Sequence, residues 1–198
     1  MQAEFKPGIV IKLKPFPGIV AVAPDPDEPT EKAGPPIKDA KGRTSTLRPW
    51  KNGSNMDLNE MQTGTTLYLP VFVKGALLWT GDSHRVQGNG EMNLEALEYA
   101  YKEIKLHPIV HKKMKTTVRW VETRTNWIFM GFDEDLTEAT KIAVNNTIEW
   151  LSTQKIVPRD RYEAYALTSI AANCDITQMV DIRKGVHCMV PKSIFVKK

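Results

Sequence analysis

The spacing of apolar residues changes along the chain and divides it into three parts. Short apolar runs, bounded by glycine, proline and polar residues, come first and predict β-strands. They lie at residues 8–13, 18–23, 67–73, 76–80, 116–121 and 125–130. Apolar residues then recur at intervals of three and four in residues 135–153, and again after Pro158, which predicts two helices. Strand-like runs return at 174–181 and 185–191. This order predicts a mainly β fold with two α-helices in the C-terminal third.

Two stretches depart from this pattern. Residues 24–55 carry many prolines and charges but few large apolar side chains, which predicts a long Pro-rich loop. Loops of this length inside a domain are uncommon and are usually functional or disordered. Residues 94–101 have helix propensity although strand-like pieces surround them, so propensity alone leaves strand and helix open. The length of 198 residues suits a single domain over positions 1–198.

A block of polar residues directly follows the apolar run that ends at residue 80. It has the sequence GDSHRVQGNGE at positions 81–91. Asp82 and His84 are two residues apart, so both side chains point to one face of an extended strand. The pair suits two ligands of one metal ion or a base with its orienting partner, although salt bridges and turn caps show the same spacing. Gly88 and Gly90 favour a tight turn that returns Glu91 to the same cleft.

Composition narrows the class of protein. The net charge is +4, and lysine and arginine are scattered among acidic residues, so no basic stripe predicts nucleic-acid binding. No apolar run approaches the ~18 residues that cross a bilayer, and we see no secretory leader. We therefore expect a soluble, cytoplasmic protein without membrane contact. Cys174 and Cys188 form no CxxC motif and have apolar neighbours, which predicts two reduced core residues.

Eight short motifs, taken in order, resemble the acetamidase/formamidase family. They are NMD (55–57), TLYLPVFV (66–73), GDSH (81–84), QGNGE (87–91), MGFD (130–133), EAYAL (163–167), TQMVD (177–181) and KGVHCMVPK (184–192). The resemblance covers only the later part of the family's chains, and their first half has no counterpart here. We therefore expect one piece of a split enzyme. It would work with a companion polypeptide resembling the N-terminal half of the family, and would form a higher oligomer.

The resemblance implies a jelly-roll-like β-sandwich and hydrolysis of a small carboxamide, such as formamide or acetamide, to a carboxylate and ammonia. It also places residues 53–57, at the end of the predicted loop, in the active site. The resemblance does not fix the metal ligands. Chemistry and spacing lead us to assign Asp57, Asp82 and His84 to a divalent metal, with zinc favoured by the mixed carboxylate and imidazole ligands. Glu91 is assigned as the general base, although it also suits a metal ligand.

Three further residues are candidates for contact with substrate. Asn55 and Gln87 either donate hydrogen bonds to the amide oxygen or shape their turns. His187 lies in a family motif and either reaches the cleft or fills the core. A Cys188–His187 dyad is disfavoured, because neighbours on a strand point to opposite faces. The alternative to an amidase is a non-catalytic structural subunit of a hetero-oligomeric hydrolase, which would carry no metal.

Overall fold

The computed structural model describes residues 1–27, 45–114, 116–153 and 160–196. Within these residues the chain forms β-strands, then two α-helices, then two closing strands, which confirms the predicted order. The helices are α1 (Leu136–Thr153) and α2 (Arg161–Ala171). The strands are β1 (Gln2–Lys6), β2 (Ile9–Lys12), β3 (Phe16–Ala21), β4 (Gly53–Asn55), β5 (Thr66–Tyr68), β6 (Trp79–Val86), β7 (Leu97–Glu98), β8 (Trp120–Glu122), β9 (Asn126–Asp133), β10 (Asn173–Gln178) and β11 (Lys184–Pro191).

These strands form two main sheets and one separate hairpin, β1–β2. The larger sheet has five strands in the order β10-β11-β9-β8-β5, and the smaller has four in the order β4-β3-β6-β7. All strand pairs in both sheets are antiparallel. The pairing of β9 with β11 extends over the full length of both strands and forms the centre of the larger sheet.

Strand β9 separates two cores. Ile128, Met130 and Phe132 share one core with Val20 of β3, so this face of the larger sheet packs on the smaller sheet. Phe129, which points to the opposite face, packs instead with Leu151 of α1. Alternation of this kind follows from the two-residue repeat of a strand. The result is a β-sandwich whose larger sheet is covered on its outer face by the helices.

Gly131 allows α1 to approach β9 closely. A Cβ atom at this position would overlap the backbone oxygen of Ala139 and the backbone nitrogen of Ala143. Asn146 of the same helix donates its Nδ2 to the carbonyl oxygen of Met130 at 2.9 Å, which fixes the helix on the strand. Among the residues described, neither helix combines the length and the apolar character needed to cross a membrane.

Several predicted strands are shorter in the structure. Strand β5 ends at Tyr68, before Pro70, because proline has no N–H to donate to a neighbouring strand. Ala76 and Leu77 have positive φ angles of 56° and 54°, so the chain turns there and β6 begins only at Trp79. The predicted strand at 76–80 is therefore wrong over its first half. In residues 94–101 the family resemblance favours a strand over a helix, and the structure forms the short strand β7 there.

The predicted loop at 24–55 ends in a strand. β4 pairs with β3, with Asn55 opposite Ile19, and becomes the edge of the smaller sheet. Residues 28–44, most of that loop, lie outside the described residues, as does Pro158 before the second helix. Helix α2 begins at Arg161, where the carboxylate of Asp160 accepts a hydrogen bond from the backbone N–H of Tyr162 at 2.9 Å.

The prediction of two reduced core cysteines is wrong. Cys174 of β10 and Cys188 of β11 are partners across neighbouring strands and form a disulfide. Cys174 is exposed, whereas Cys188 is buried beneath α1. No local pattern predicts this contact, because the pairing register of the two strands brings the cysteines together.

Candidate metal centre

Five ionisable side chains meet between the smaller sheet and the β10–β11 hairpin. Asp57 follows β4, Asp82 and His84 lie in β6, Glu91 follows the turn after β6, and Asp181 follows β10. We call these five residues the acidic cluster. Ligand atoms of Asp57, Asp82 and His84 lie within 4.8 Å of one another, and so do those of Asp57, Glu91 and Asp181. The acidic cluster therefore consists of two groups that share Asp57.

His84 is held between two carboxylates. Its Nε2 lies 3.1 Å from Oδ1 of Asp82, and its Nδ1 lies 3.9 Å from Oδ1 of Asp57. The Phe16 ring packs edge-on against the imidazole, with ring centroids 4.9 Å apart. The Tyr101 hydroxyl contacts the backbone carbonyls of both Phe16 and His84. Asp82 and His84 thus share one side of β6, as their two-residue spacing predicts, and the imidazole is shielded from solvent.

Several polar atoms of the acidic cluster are buried and have no hydrogen-bond partner among the described residues. They are both carboxylate oxygens of Asp57, Nδ1 of His84, Oε2 of Glu91 and Oδ2 of Asp181. Leaving a charged group buried and uncompensated costs several kcal/mol. All of these atoms can carry a lone pair, and they belong to groups whose ligand atoms lie within reach of one cation. The residues therefore fit a divalent metal ion.

In the absence of a cation, the acidic cluster retains protons. Burial, reinforced by Asp181, Glu91 and Asp82, raises the pKa of Asp57 to about 11. Burial, followed by the charge of Asp181, raises the pKa of Glu91 to about 7. Burial alone would lower the pKa of His84, but the hydrogen bond and charge of Asp82 outweigh it and raise the pKa. A metal ion that binds here displaces these protons, so its affinity increases with pH.

Three of the four acids have a left-handed backbone conformation. The φ angles of Asp57, Asp82 and Glu91 are 49°, 55° and 35°. For a residue other than glycine this conformation costs roughly 1–2 kcal/mol, and it persists only where the surrounding structure imposes it. Here the backbone N–H of Asp57 donates to the carbonyl of Gly18 at 3.2 Å, and that of Gly90 donates to a carbonyl of β10 at 3.1 Å. Tertiary contacts therefore direct these carboxylates inward.

Strand β3 passes so close to the acidic cluster that only glycine fits at position 18. A Cβ atom on Gly18 would overlap a carboxylate oxygen of Asp57 and lie 2.5 Å from Oδ2 of Asp82. Glycine is required at position 18 because no side chain fits there. Its φ angle lies outside the positive range, so the backbone conformation alone does not require glycine. Gly18 thus makes room for two of the proposed ligands.

Asn55 and Gln87, the two predicted substrate-binding amides, contact the acidic cluster. Nε2 of Gln87 donates to the backbone oxygen of Asp57 at 3.0 Å, and the Asn55 side chain hydrogen-bonds the carboxylate of Asp181. The nitrogen of each amide is therefore engaged by an oxygen. Both amide oxygens are buried and have no partner among the described residues.

His187 belongs to a separate polar group. Its Nδ1 lies 2.8 Å from the Thr177 hydroxyl, and its Nε2 lies 3.6 Å from Oε2 of Glu60. Burial lowers the pKa of His187 to about 4, so the imidazole is neutral. The structure does not bring His187 into the acidic cluster. Its connection runs through Thr177, whose carbonyl accepts the N–H of Gly90, the residue before Glu91.

Cys188 lies on the other face of β11 from His187. It packs with Ala139 and Ala143 of α1 and is bonded to Cys174. The expectation that Cys188 and His187 form no catalytic dyad is therefore confirmed.

Known proteins provide a comparison for this arrangement. The sequence profile of the Acetamidase/Formamidase family matches residues 36–197. The chain belongs to this family. An acetamidase from Mycolicibacterium smegmatis is 36% identical over 87 residues, which are 36% of this chain and 21% of that protein. A formamidase from Methylophilus methylotrophus is 34% identical over 102 residues, which are 43% of this chain and 25% of that protein.

Solved structures of the Acetamidase/Formamidase family share the fold. An acetamidase from Bacillus halodurans superposes with a TM-score of 0.79 at 26% identity, covering 98% of this chain and 60% of that chain. A predicted acetamidase/formamidase from Thermoanaerobacter tengcongensis gives 0.77 at 27% identity, covering 96% and 57%. These matches confirm the predicted fold and family. The chain spans less than two thirds of the length of each of these relatives.

Three residues in or beside the candidate site were not predicted from the sequence. Asp181 closes the TQMVD motif, which was a usable signal, but the surrounding strand pattern gave no reason to assign it to the site. Gly18 lies in an apolar strand, where its contact with the carboxylates has no local signature. Glu60, the neighbour of His187, follows Asp57 by three residues and carries no motif of its own.

The substitution Gly18→Ala is expected to weaken zinc binding by roughly 10- to 100-fold, the range found when support around metal ligands is lost. The added methyl group would displace the carboxylates of Asp57 and Asp82. Zinc titration of chelator-treated protein measures the effect. Gly81→Ala in β6 is the matched control, because a Cβ atom there meets nothing within 4 Å. Equal zinc affinity of the two variants would contradict the close approach of β3 to the carboxylates.

After chelation, stability is expected to depend on pH, and Glu91 contributes to this dependence together with Asp57, whose pKa is also raised. The folded protein holds the Glu91 proton with a pKa of about 7, whereas the unfolded chain has the ordinary value of 4.5. The folded state therefore binds more protons between these values, and the Glu91 contribution to the free energy of unfolding falls as the pH rises through them. Saturating zinc should abolish this loss, since the cation takes the place of the protons.

Thermal unfolding of chelated protein at about pH 5 and about pH 7.5 measures this contribution. The comparison is between the native chain and Glu91→Gln, which lacks the titrating carboxyl and should lose less stability. His187, with a pKa lowered from 6.5 to about 4, contributes with the opposite sign, but it does so in both proteins. An identical pH dependence of the two proteins would show that Glu91 does not hold the proton.

Proposed function

We propose that this chain carries the catalytic metal centre of an amidase that hydrolyses a small carboxamide to a carboxylate and ammonia. The observation that carries the proposal is the convergence of buried, unpartnered ligand atoms in the acidic cluster. An amide is a poor electrophile, so its hydrolysis requires activated water and a polarised carbonyl. The names of related proteins, an acetamidase and a formamidase, support formamide-like and acetamide-like substrates. A purely structural subunit would gain no stability from such uncompensated acids.

Asp57, Asp82 and His84 would hold the metal, which we take to be zinc because two carboxylates and one imidazole suit zinc or a related first-row ion. When bound, such an ion polarises a carbonyl and lowers the pKa of bound water to about 7. Nε2 of His84 lies against Oδ1 of Asp82, so the buried Nδ1 is the nitrogen available to a metal. Asp82 would orient the ring through Oδ1 and ligate through Oδ2, which lies beside Gly18 with the carboxylate of Asp57.

Glu91 would act as the general base. It would accept a proton from the attacking water and deliver it to the departing nitrogen. Asn55 and Gln87 would contact the substrate amide. Each keeps one N–H that could donate to the amide oxygen, and the buried side-chain oxygens lack partners among the described residues and could accept from the –NH₂ group. We retain His187 as a substrate-binding residue, since its buried Nε2 is likewise unpartnered among the described residues.

Ammonia release from formamide and acetamide tests this function. We expect the zinc-loaded protein, assembled with the companion polypeptide proposed below, to release ammonia, to lose that activity with a chelator and to regain it when zinc is restored. An assembled protein with full zinc occupancy and no ammonia release from either amide would reject the amidase assignment. A folded protein that binds no metal and has no activity would favour the structural-subunit alternative.

We also propose that the metal centre works in a higher oligomer with a companion polypeptide resembling the part of the family that this chain does not match. Large apolar side chains are exposed on the β1–β2 hairpin and in residues 99–114, including Phe5 (66%), Ile109 (62%) and Val110 (77%). Exposed apolar patches and open sheet edges favour contact with another chain. Light scattering and ammonia release, measured on residues 1–198 alone and with the companion, test this. A well-behaved active monomer would reject the proposed companion.

A cytoplasmic location stays a prediction.

A further inference from the structure

The disulfide between Cys174 and Cys188 joins the two strands of the β10–β11 hairpin. The two cysteines lie directly opposite each other, at the end of the hairpin remote from its turn. Strand β11 is paired with β9 over its full length, whereas β10 is an edge strand of the larger sheet in the part of the chain that the structure describes. Strand β10 is therefore held in the sheet through β11, and the disulfide fixes this pairing covalently.

The other end of β10 supports the acidic cluster. The carbonyl of Thr177 accepts the N–H of Gly90, in the turn before the proposed general base, at 3.1 Å. The buried side chain of Gln178 accepts the backbone N–H of Asp181 at 3.1 Å. Ligand atoms of Asp181 and Asp57 lie within 4.8 Å of each other. A displacement of β10 would therefore move groups on which the acidic cluster depends.

The two sulfur atoms of the disulfide differ in accessibility. Cys174 is exposed, whereas Cys188 is fully buried and packs against Ala139 and Ala143 of α1. A thiolate that cleaves a disulfide needs access to one sulfur, so attack is directed to Cys174 and Cys188 leaves. The chain contains no other cysteine that competes. In the cytoplasm, the location predicted above, a protein disulfide is usually transient, catalytic or redox-sensing.

We propose that the Cys174–Cys188 disulfide is a redox site through which a dithiol reductant controls the order of β10 and thereby the acidic cluster. One thiolate of the dithiol forms a mixed disulfide with Cys174 and releases Cys188, which takes up a proton. The second thiol of the reductant then displaces Cys174. Two electrons and two protons have then passed to the protein, and the reductant has become a disulfide.

Reduction of the disulfide loosens β10, because the opened strand regains the conformational freedom that the cross-link removes. The cross-link joins residues separated by 14 positions, and Thr177, Gln178 and Asp181 all lie between them. The effect on β10 follows from the hairpin alone. The effect on zinc affinity rests on the metal centre proposed above.

The test compares the oxidised and the reduced native chain. Dithiothreitol, removed afterwards by gel filtration without oxygen, should raise the thiol content from none to two per chain. Hydrogen–deuterium exchange in residues 173–181 should become at least about tenfold faster, while the amides of β3 in the other sheet should not change. Zinc affinity should fall by about tenfold, the lower end of the range for lost support around metal ligands. Reoxidation should reverse both effects.

A double variant, Cys174→Ser with Cys188→Ala, separates the loosened hairpin from the freed thiols, which can themselves bind zinc. This variant should resemble the reduced native chain in exchange and zinc affinity, and should not respond to dithiothreitol. Since oxidised and reduced native chains are compared directly, the test stays decisive if the variant does not fold.

The outcomes distinguish the redox site from the proposed metal centre. Faster exchange in residues 173–181 after reduction, with no zinc bound in either state, would support the redox site and reject the metal centre. Release of no thiol, equal exchange in the two states, or an unchanged affinity in a chain that binds zinc would overturn the redox proposal.

Discussion

Replacing His84 with alanine is expected to remove zinc and amidase activity together. His84 supplies the one nitrogen ligand of the acidic cluster, and its Nδ1 is buried without another partner among the described residues. Its loss also removes the side chain that contacts Oδ1 of both Asp82 and Asp57. We expect zinc affinity to fall by at least about 100-fold, since loss of a direct ligand exceeds the 10- to 100-fold effect of losing its supporting contacts.

Metal analysis and ammonia release, measured on the same preparations, check the result for His84. His107→Ala is the matched control, because His107 is exposed and lies outside the acidic cluster. This control should keep both zinc and activity. Full zinc occupancy in His84→Ala would show that the ligands have been assigned to the wrong residues.

Glu91→Gln is expected to keep the zinc bound at His84 and to reduce turnover by about 10²- to 10⁴-fold, the usual contribution of a positioned general base. Glutamine preserves the size of the side chain but does not accept a proton at neutral pH. Removal of the carboxyl group should also remove the part of the pH dependence of the rate that titration of Glu91 causes.

Turnover number, its pH profile and zinc content distinguish a lost base from a lost metal ion in Glu91→Gln. Glu95→Gln provides the control, since Glu95 is exposed four residues farther along the same segment. Near-native turnover in Glu91→Gln would assign general base catalysis to another residue. Loss of the zinc at His84 would instead make Glu91 one of the ligands of that ion.

Local sequence patterns predicted the helices and strands in which buried positions recur regularly along the chain. The two late helices were predicted from apolar spacing. Helix α1 packs one face on the larger sheet, whereas α2 buries Ala164 and leaves Tyr162, Tyr165 and Ile170 exposed. The strand at 125–130 was found because its side chains are buried on both faces. Strand β4 was missed, since Gly53, Ser54 and Asn55 have no strand composition and are extended only through pairing with β3. The Cys174–Cys188 disulfide likewise depends on strand register.

The candidate site was predicted where its residues are close in sequence. The two-residue spacing of Asp82 and His84 placed them on one face, and the glycine turn explained the return of Glu91. Asp181 was missed because it reaches the acidic cluster from the β10–β11 hairpin, and no local pattern records that contact. Gly18 was missed for the same reason, since the atoms that exclude a side chain there belong to β6 and to the residue after β4.

The position of Asp181 on the β10–β11 hairpin has a consequence for the order of folding. Asp57, Asp82, His84 and Glu91 lie within one segment of 35 residues, from 57 to 91, whereas Asp181 is close to the C-terminus. Contacts between distant segments form late, because closing a longer loop costs more conformational entropy. A chain during synthesis therefore contains Asp57, Asp82, His84 and Glu91 well before Asp181 is available. The acidic cluster would then be completed only when the β10–β11 hairpin docks, late in folding.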